Sequence, residues 1–72
     1  MHQLDLRGYN CPLPVLKTKK FLAQLSSGES VTVITDDPDS EKDLQTFCQK
    51  TGNPLLSQSN DNNQIVTIIT RR

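Results

Sequence analysis

Most residue types that mark a particular chemistry are scarce in this sequence. Histidine occurs once, as His2, cysteine twice, as Cys11 and Cys48, and tryptophan not at all, leaving Tyr9, Phe21 and Phe47 as the aromatic residues. Two cysteines are too few for a disulfide scaffold, which at this size needs about two to four bridges. His2, Cys11 and Cys48 include no close ligand pair such as C-x-x-C, so no metal site is expected. A Cys–His hydrolase would need His2 as its base, and a residue at a chain end is poorly placed for that role. Net charge is also missing, with eight basic residues against eight acidic ones. That balance, with so few rings to stack on bases, argues against nucleic-acid binding.

No apolar run approaches the roughly 18 residues of a membrane span. The longest, Ile65-Val66-Thr67-Ile68-Ile69, is strand-sized, and the opening MHQLDLRGYN lacks the basic-then-apolar pattern of a signal peptide. The expected compartment is the cytoplasm, without membrane association, where thiols stay reduced. The 72 residues imply a single domain, 1–72, read as a monomer with one small core. That leaves no room for a deep enclosed pocket, so any chemistry belongs on the surface and uses a partner's pocket.

The elements follow from periodicity. Leu4 and Leu6 alternate with polar neighbours as a half-buried strand, and Gly8-Tyr9-Asn10 is a turn. Pro12 suits the first position of a helix. Val15, Thr18, Leu22 and Leu25 then mark one buried helical face, flanked by Phe21 and closed by Ser26-Ser27-Gly28. Val31 to Thr35 is β-branched and apolar enough for a central strand. Asp37-Pro38 is an N-cap with a first-turn proline, and Leu44, Phe47, Cys48 and Thr51 form the second helix's stripe. Gly52 caps that helix. A third strand begins at Leu55-Leu56, residues 59–63 form a turn, and Ile65 to Thr70 is the fourth strand. The expected order is βαβαββ: an α/β (α+β) two-layer sandwich with a mixed four-stranded sheet and two helices on one face.

The zero charge conceals an asymmetry. Arg7, Lys17, Lys19 and Lys20 lie in a stretch without acids, whereas Asp36, Asp37, Asp39, Glu41 and Asp43 are offset only by Lys42. Cys11 sits in the basic stretch. With Pro12 opening the helix, Cys11 is its N-cap, and the helix dipole is expected to favour the thiolate. Pro12 and Pro14 lack N–H groups, so of the first three helical positions only Leu13 can donate. Cys48, on the apolar face beside Leu44 and Phe47, reads as core. Arg7, Lys17 and Lys20 are expected to surround Cys11 with positive charge or to steer an acidic partner. Lys19 lies near the apolar edge, and Asp5 has no evident role beyond solvation or pairing with Arg7.

The run from Leu4 through Arg7-Gly8 to Cys11-Pro12-Leu13-Pro14, then Lys17, Lys19 and Lys20, resembles the TusA/SirA-like family of small sulfur-carrier proteins, whose mark is a CPxP motif followed by paired lysines. The likeness continues through Ser27-Gly28-Glu29, Asp36-Asp37-Pro38 and Asp43 to Phe47-Cys48, and weakens after Gly52. The resemblance implies the βαβαββ sandwich. It also implies a transient persulfide on Cys11, with no other cofactor, received from a cysteine desulfurase or rhodanese-like donor. That sulfur is passed to an acceptor protein of a sulfur relay. Destinations in the family include tRNA thiolation, molybdenum-cofactor synthesis and sulfur oxidation, while some members are linked to thiosulfate uptake or selenium metabolism. Such a carrier is a sulfurtransferase-like protein cosubstrate as much as an enzyme. The competing readings are a regulatory or protein-binding module docking through its basic first helix, and RNA binding.

Overall fold

Six elements organise the chain in the computed structural model, which describes residues 2–72. They are β1 (His2–Asp5), α1 (Leu13–Leu22), β2 (Ser30–Thr35), α2 (Asp39–Thr51), β3 (Leu55–Asp61) and β4 (Gln64–Thr70). The sheet order is β1-β2-β4-β3. β1 runs parallel to β2, with Leu4 opposite Val33, while β4 is antiparallel to both β2 and β3. This is the expected two-layer sandwich, with the β-branched strands β2 and β4 at the centre.

Alternation along those two strands builds the core. Val31, Val33 and Thr35 of β2 and Ile65, Thr67 and Ile69 of β4 are buried, and the residues between them are only half-buried. Leu22 and Leu25 from the first helical region and Leu44, Phe47 and Cys48 from α2 pack on that inner face. At about 25 cal/mol per Å² of apolar surface, each fully buried Leu or Ile contributes roughly 1.5–3 kcal/mol. Two buried threonine hydroxyls are paired, Thr18 Oγ1 donating to the Pro14 carbonyl at 2.7 Å and Thr67 Oγ1 accepting from Gln58 Nε2 at 3.0 Å, whereas the buried Ser40 hydroxyl has no partner among the described residues.

The ends of two elements differ from the sequence expectation. α1 ends at Leu22, and Leu25 reaches the core from a tight turn instead, its N–H bonded to the Leu22 carbonyl at 3.0 Å. The Arg71 guanidinium caps that end, donating to the carbonyls of Ala23 and Leu25. β3 continues to Asp61, so the expected five-residue turn shrinks to Asn62 and Asn63, at φ 51° and 62°. Two consecutive left-handed residues suit the twist of a tight hairpin, and asparagine tolerates that conformation. α2 runs from Asp39 to Thr51, with Pro38 rather than Asp37 at the N-cap position and the Asp37 carboxylate accepting from the Asp39 N–H. It ends as expected at Gly52, at φ 78°, whose N–H bonds to the Cys48 carbonyl at 2.9 Å.

Candidate functional site

The segment joining β1 to α1 carries Cys11 and is fastened from both sides. Leu6 is buried and its N–H donates to the Ile34 carbonyl at 2.7 Å, which fixes the start of the loop against β2. Gly8 follows at φ 90°, a conformation that a side chain disfavours, and its N–H donates to Asp36 Oδ1 at 3.0 Å. The Cys11 N–H donates to Asp37 Oδ2 at 2.6 Å. The other oxygen of that carboxylate takes the N–H of Asp39 at 3.1 Å, so Asp37 both caps α2 and holds the Cys11 backbone. Cys11 is exposed, and Cys48 is buried in the core as expected.

The electrostatics expected at Cys11 are overturned. α1 starts at Leu13 with Pro12 as the residue before it, so Cys11 is one position too early to cap the helix; the Cys11–Pro12 bond is cis. Pro12 and Pro14 have no N–H, and the Leu13 N–H is already taken by the Asn10 carbonyl at 2.9 Å. The sulfur therefore gains no donor from these first positions. Its own proton points the other way: the thiol donates to Asp43 Oδ2, one turn into α2. That hydrogen bond, followed by partial desolvation and the negative charges of Asp43, Asp37 and Asp39, pushes the Cys11 thiol from 9.0 up to about 11. Burial alone raises Cys48 to about 11 as well.

Arg7 and Lys17 are engaged elsewhere. Arg7 forms a two-pronged pair with Asp5, Nη2 to Oδ2 at 2.7 Å and Nε to Oδ1 at 2.9 Å, and its backbone N–H also reaches Oδ1 at 3.1 Å. The pair draws the Asp5 carboxyl down to about 2. Of the two roles open to Asp5 in the sequence, pairing with Arg7 is the one the structure displays. Lys17 Nζ lies 4.7 Å from the centroid of the Tyr9 ring. Lys17, Lys20 and Tyr9 share a shallow groove with Leu4 and Phe21, while Lys19 lies beside Phe47, near the apolar edge. Large apolar side chains are exposed on the same helix, Leu13 at 43% and Leu16 at 53%, with Tyr9 at 40% in the preceding turn. Pro14, by contrast, is on the buried face of α1.

Cys11, Pro12 and Gly8 thus share one loop whose tethers are acidic: Asp36, Asp37 and Asp43. Sequence reasoning placed these carboxylates on a separate helix and assigned them no part in the site. Their signal lay only in the resemblance, which matched Asp36-Asp37-Pro38 and Asp43 together with the CPxP run. No cluster of His, Cys, Asp and Glu suited to a metal ion occurs among the described residues, nor does a helix long and apolar enough to cross a membrane.

Comparison with known proteins agrees with this layout. The family profile described as Sulfurtransferase TusA matches residues 2–72. The sulfur carrier protein TusA of Allochromatium vinosum is 41% identical over 69 residues, covering 96% of this chain and 91% of that protein. A putative sulfur carrier protein of Neisseria meningitidis serogroup A is 36% identical over 69 residues, covering 96% of this chain and 93% of its own. Among solved structures, a SirA-like protein from Desulfitobacterium hafniense superposes with a TM-score of 0.85 at 35% identity, covering 97% of this chain and 96% of that one. The chain belongs to the TusA sulfurtransferase family.

Proposed function

We propose that this protein is a sulfur carrier that accepts sulfane sulfur as a persulfide on Cys11 and relays it to a thiol of an acceptor protein. The observation that carries the reading is that Cys11 is the exposed cysteine of the chain, presented on the loop that bears the family's CPxP run, while Cys48 is buried. In loading, Cys11 gives up its proton and its sulfur forms a bond to the outer sulfur of a donor persulfide. The donor's S–S bond breaks, and its inner sulfur leaves as a thiolate that takes up a proton. Delivery is the same exchange in the other direction: an acceptor thiolate attacks the outer sulfur and Cys11 leaves as the thiol once reprotonated. Neither step changes the overall redox state, so no resident cofactor is required.

The donor is of the cysteine desulfurase or rhodanese-like class, and the acceptor a protein of a sulfur relay in the cytoplasm. Tyr9, Leu13, Leu16, Lys17 and Lys20 form a mixed apolar and basic face next to Cys11. Such a face suits transient docking, with rings and apolar side chains supplying contact and lysines supplying orientation. Arg7 and Gly8, with Pro12 and Pro14, shape the loop that presents the sulfur. Incubation of the reduced protein with a persulfide donor, followed by peptide mass mapping, tests the reading. One added sulfur on Cys11, absent in Cys11→Ser, is the expected result; sulfur on Cys48, or none, overturns it. The rival docking-module reading requires Cys11→Ser to retain full cellular function, whereas the carrier reading requires its loss.

A further inference from the structure

Both ends of Cys11 are held by carboxylates from one neighbourhood. Asp37 Oδ2 takes the backbone N–H at 2.6 Å and thereby fixes where the side chain starts. Asp43 Oδ2 then accepts the hydrogen bond that the thiol donates. Asp39 and Asp43 are four residues apart on α2, so they stand on one face of its first turns. We propose that Asp43 is a positioning residue that keeps the proton on Cys11 in the free protein, shielding the sulfur from small electrophiles and oxidants until a donor draws it away from the carboxylate. The proposal rests on reading Cys11 as the sulfur-carrying thiol.

The chemistry is that of an acceptor beside a weak acid. A carboxylate oxygen can accept a hydrogen bond from S–H but only repels S⁻, and Asp37 and Asp39 add to the repulsion. The cations nearby do not cancel it. Arg7 is bound to Asp5, and Lys17 lies over Tyr9. Lys19 of α1 and Lys50 of α2 line the groove that runs from Pro12 and Asp43 toward Thr51, and the charges that dominate at the thiol are those of Asp43, Asp37 and Asp39. A thiol held near 11 is ionised in roughly one molecule in ten thousand at pH 7. Attack on a donor persulfide requires the sulfur to leave Asp43, which restores an ordinary thiol at the moment a partner is present. The stored proton then leaves with the displaced donor thiol, so the exchange balances without any additional reactant.

The test uses the reduced full-length chain and iodoacetamide, with the labelled site mapped by mass. In the wild type, Cys11 alkylation is slow and its rate still climbs steadily at pH 10. Asp43→Asn keeps the side chain's shape without the charge and lets the thiol fall toward 9.0. Thiolate at pH 8 then rises about a hundredfold, and the lower nucleophilicity of a more acidic thiol takes back roughly tenfold, so labelling accelerates about tenfold. Asp43→Glu retains slow labelling, and Asp39→Asn, which does not touch the sulfur, accelerates it less than Asp43→Asn. A wild-type rate that levels off at or below pH 9, or an Asp43→Asn rate within twofold of wild type, overturns the proposal. The wild-type profile decides even if the variant folds poorly. Persulfide loading is scored separately: loading with an unshifted alkylation profile defeats the Asp43 proposal alone, and an Asp43-dependent profile without loading defeats the carrier reading alone.

Discussion

Asp37 joins the fold to the site, and replacing it with alanine removes two hydrogen bonds at once. Its carboxylate caps α2 through the Asp39 N–H at 3.1 Å and anchors the Cys11 N–H at 2.6 Å. Loss of an N-cap costs about 1 kcal/mol. A hydrogen bond to a charged acceptor contributes about 1.5–3 kcal/mol, and solvent access to this one discounts it to roughly 1–1.5 kcal/mol. Asp37→Ala is therefore expected to destabilise the protein by about 2–2.5 kcal/mol. The scale matters, because a chain of 72 residues holds only about 4–11 kcal/mol in total. Urea unfolding followed by circular dichroism, with a slope near 1 kcal/mol/M for so small a domain, reads this as a midpoint lower by about 2 M. Asp37→Asn separates the two contributions. Asparagine caps a helix about as well as aspartate, so only the charge on the Cys11 contact is lost, and the drop is about 1 kcal/mol or less. If Asp37→Ala unfolds within about 0.5 kcal/mol of wild type, the carboxylate does not hold the Cys11 loop and the reasoning fails.

Three further outcomes follow from named contacts. Cys48→Ser places a hydroxyl among Leu44, Phe47 and Ile69 and is expected to cost about 1–2 kcal/mol by urea unfolding while leaving sulfur uptake unchanged. The Asp5 carboxyl, titrated by carbon-13 NMR, is expected to have its midpoint at about 2, and Arg7→Ala returns it toward ~3.9. Because the folded value is the lower one, the pair's contribution to stability is present above pH ~4 and fades as the pH falls toward 2. Asn62→Val forces a β-branched residue into φ 51° and is expected to cost about 1–2 kcal/mol by thermal unfolding, whereas Asn63→Gly at φ 62° is neutral or slightly stabilising.

The features legible in the sequence were those encoded locally. The stripe of Thr18 and Leu22, the Asp37 cap, the Gly52 stop and the β-branched run from Val31 each signal within a few residues, and each element formed where its pattern lay. The hairpin tip was misread because Ser, Asn and Asp ordinarily break strands. Here β3 is an edge strand paired along one side with β4, so residues 59–61 extend with polar side chains toward solvent. The site was misread for a different reason. Cys11 and Asp43 are 32 positions apart, and the charge that matters at the sulfur comes through the tertiary fold rather than from the basic residues beside it in the chain. The neutral total charge therefore reflects apposition: the acidic start of α2 closes over the loop that carries Cys11. A one-residue shift of the helix start removed the expected stabilisation of the thiolate, and the Asp43 contact with the charges of Asp37 and Asp39 reversed its sign.

The central claim is that Cys11 carries sulfur between proteins, and the most direct measurement loads the protein from a cysteine desulfurase and follows a labelled sulfur by mass mapping before and after an acceptor protein is added. The account predicts one labelled sulfur on Cys11 that moves to the acceptor's cysteine, with Cys11 returned as the free thiol and no transfer in Cys11→Ser. Label that never resides on Cys11, or transfer that persists in Cys11→Ser, contradicts it.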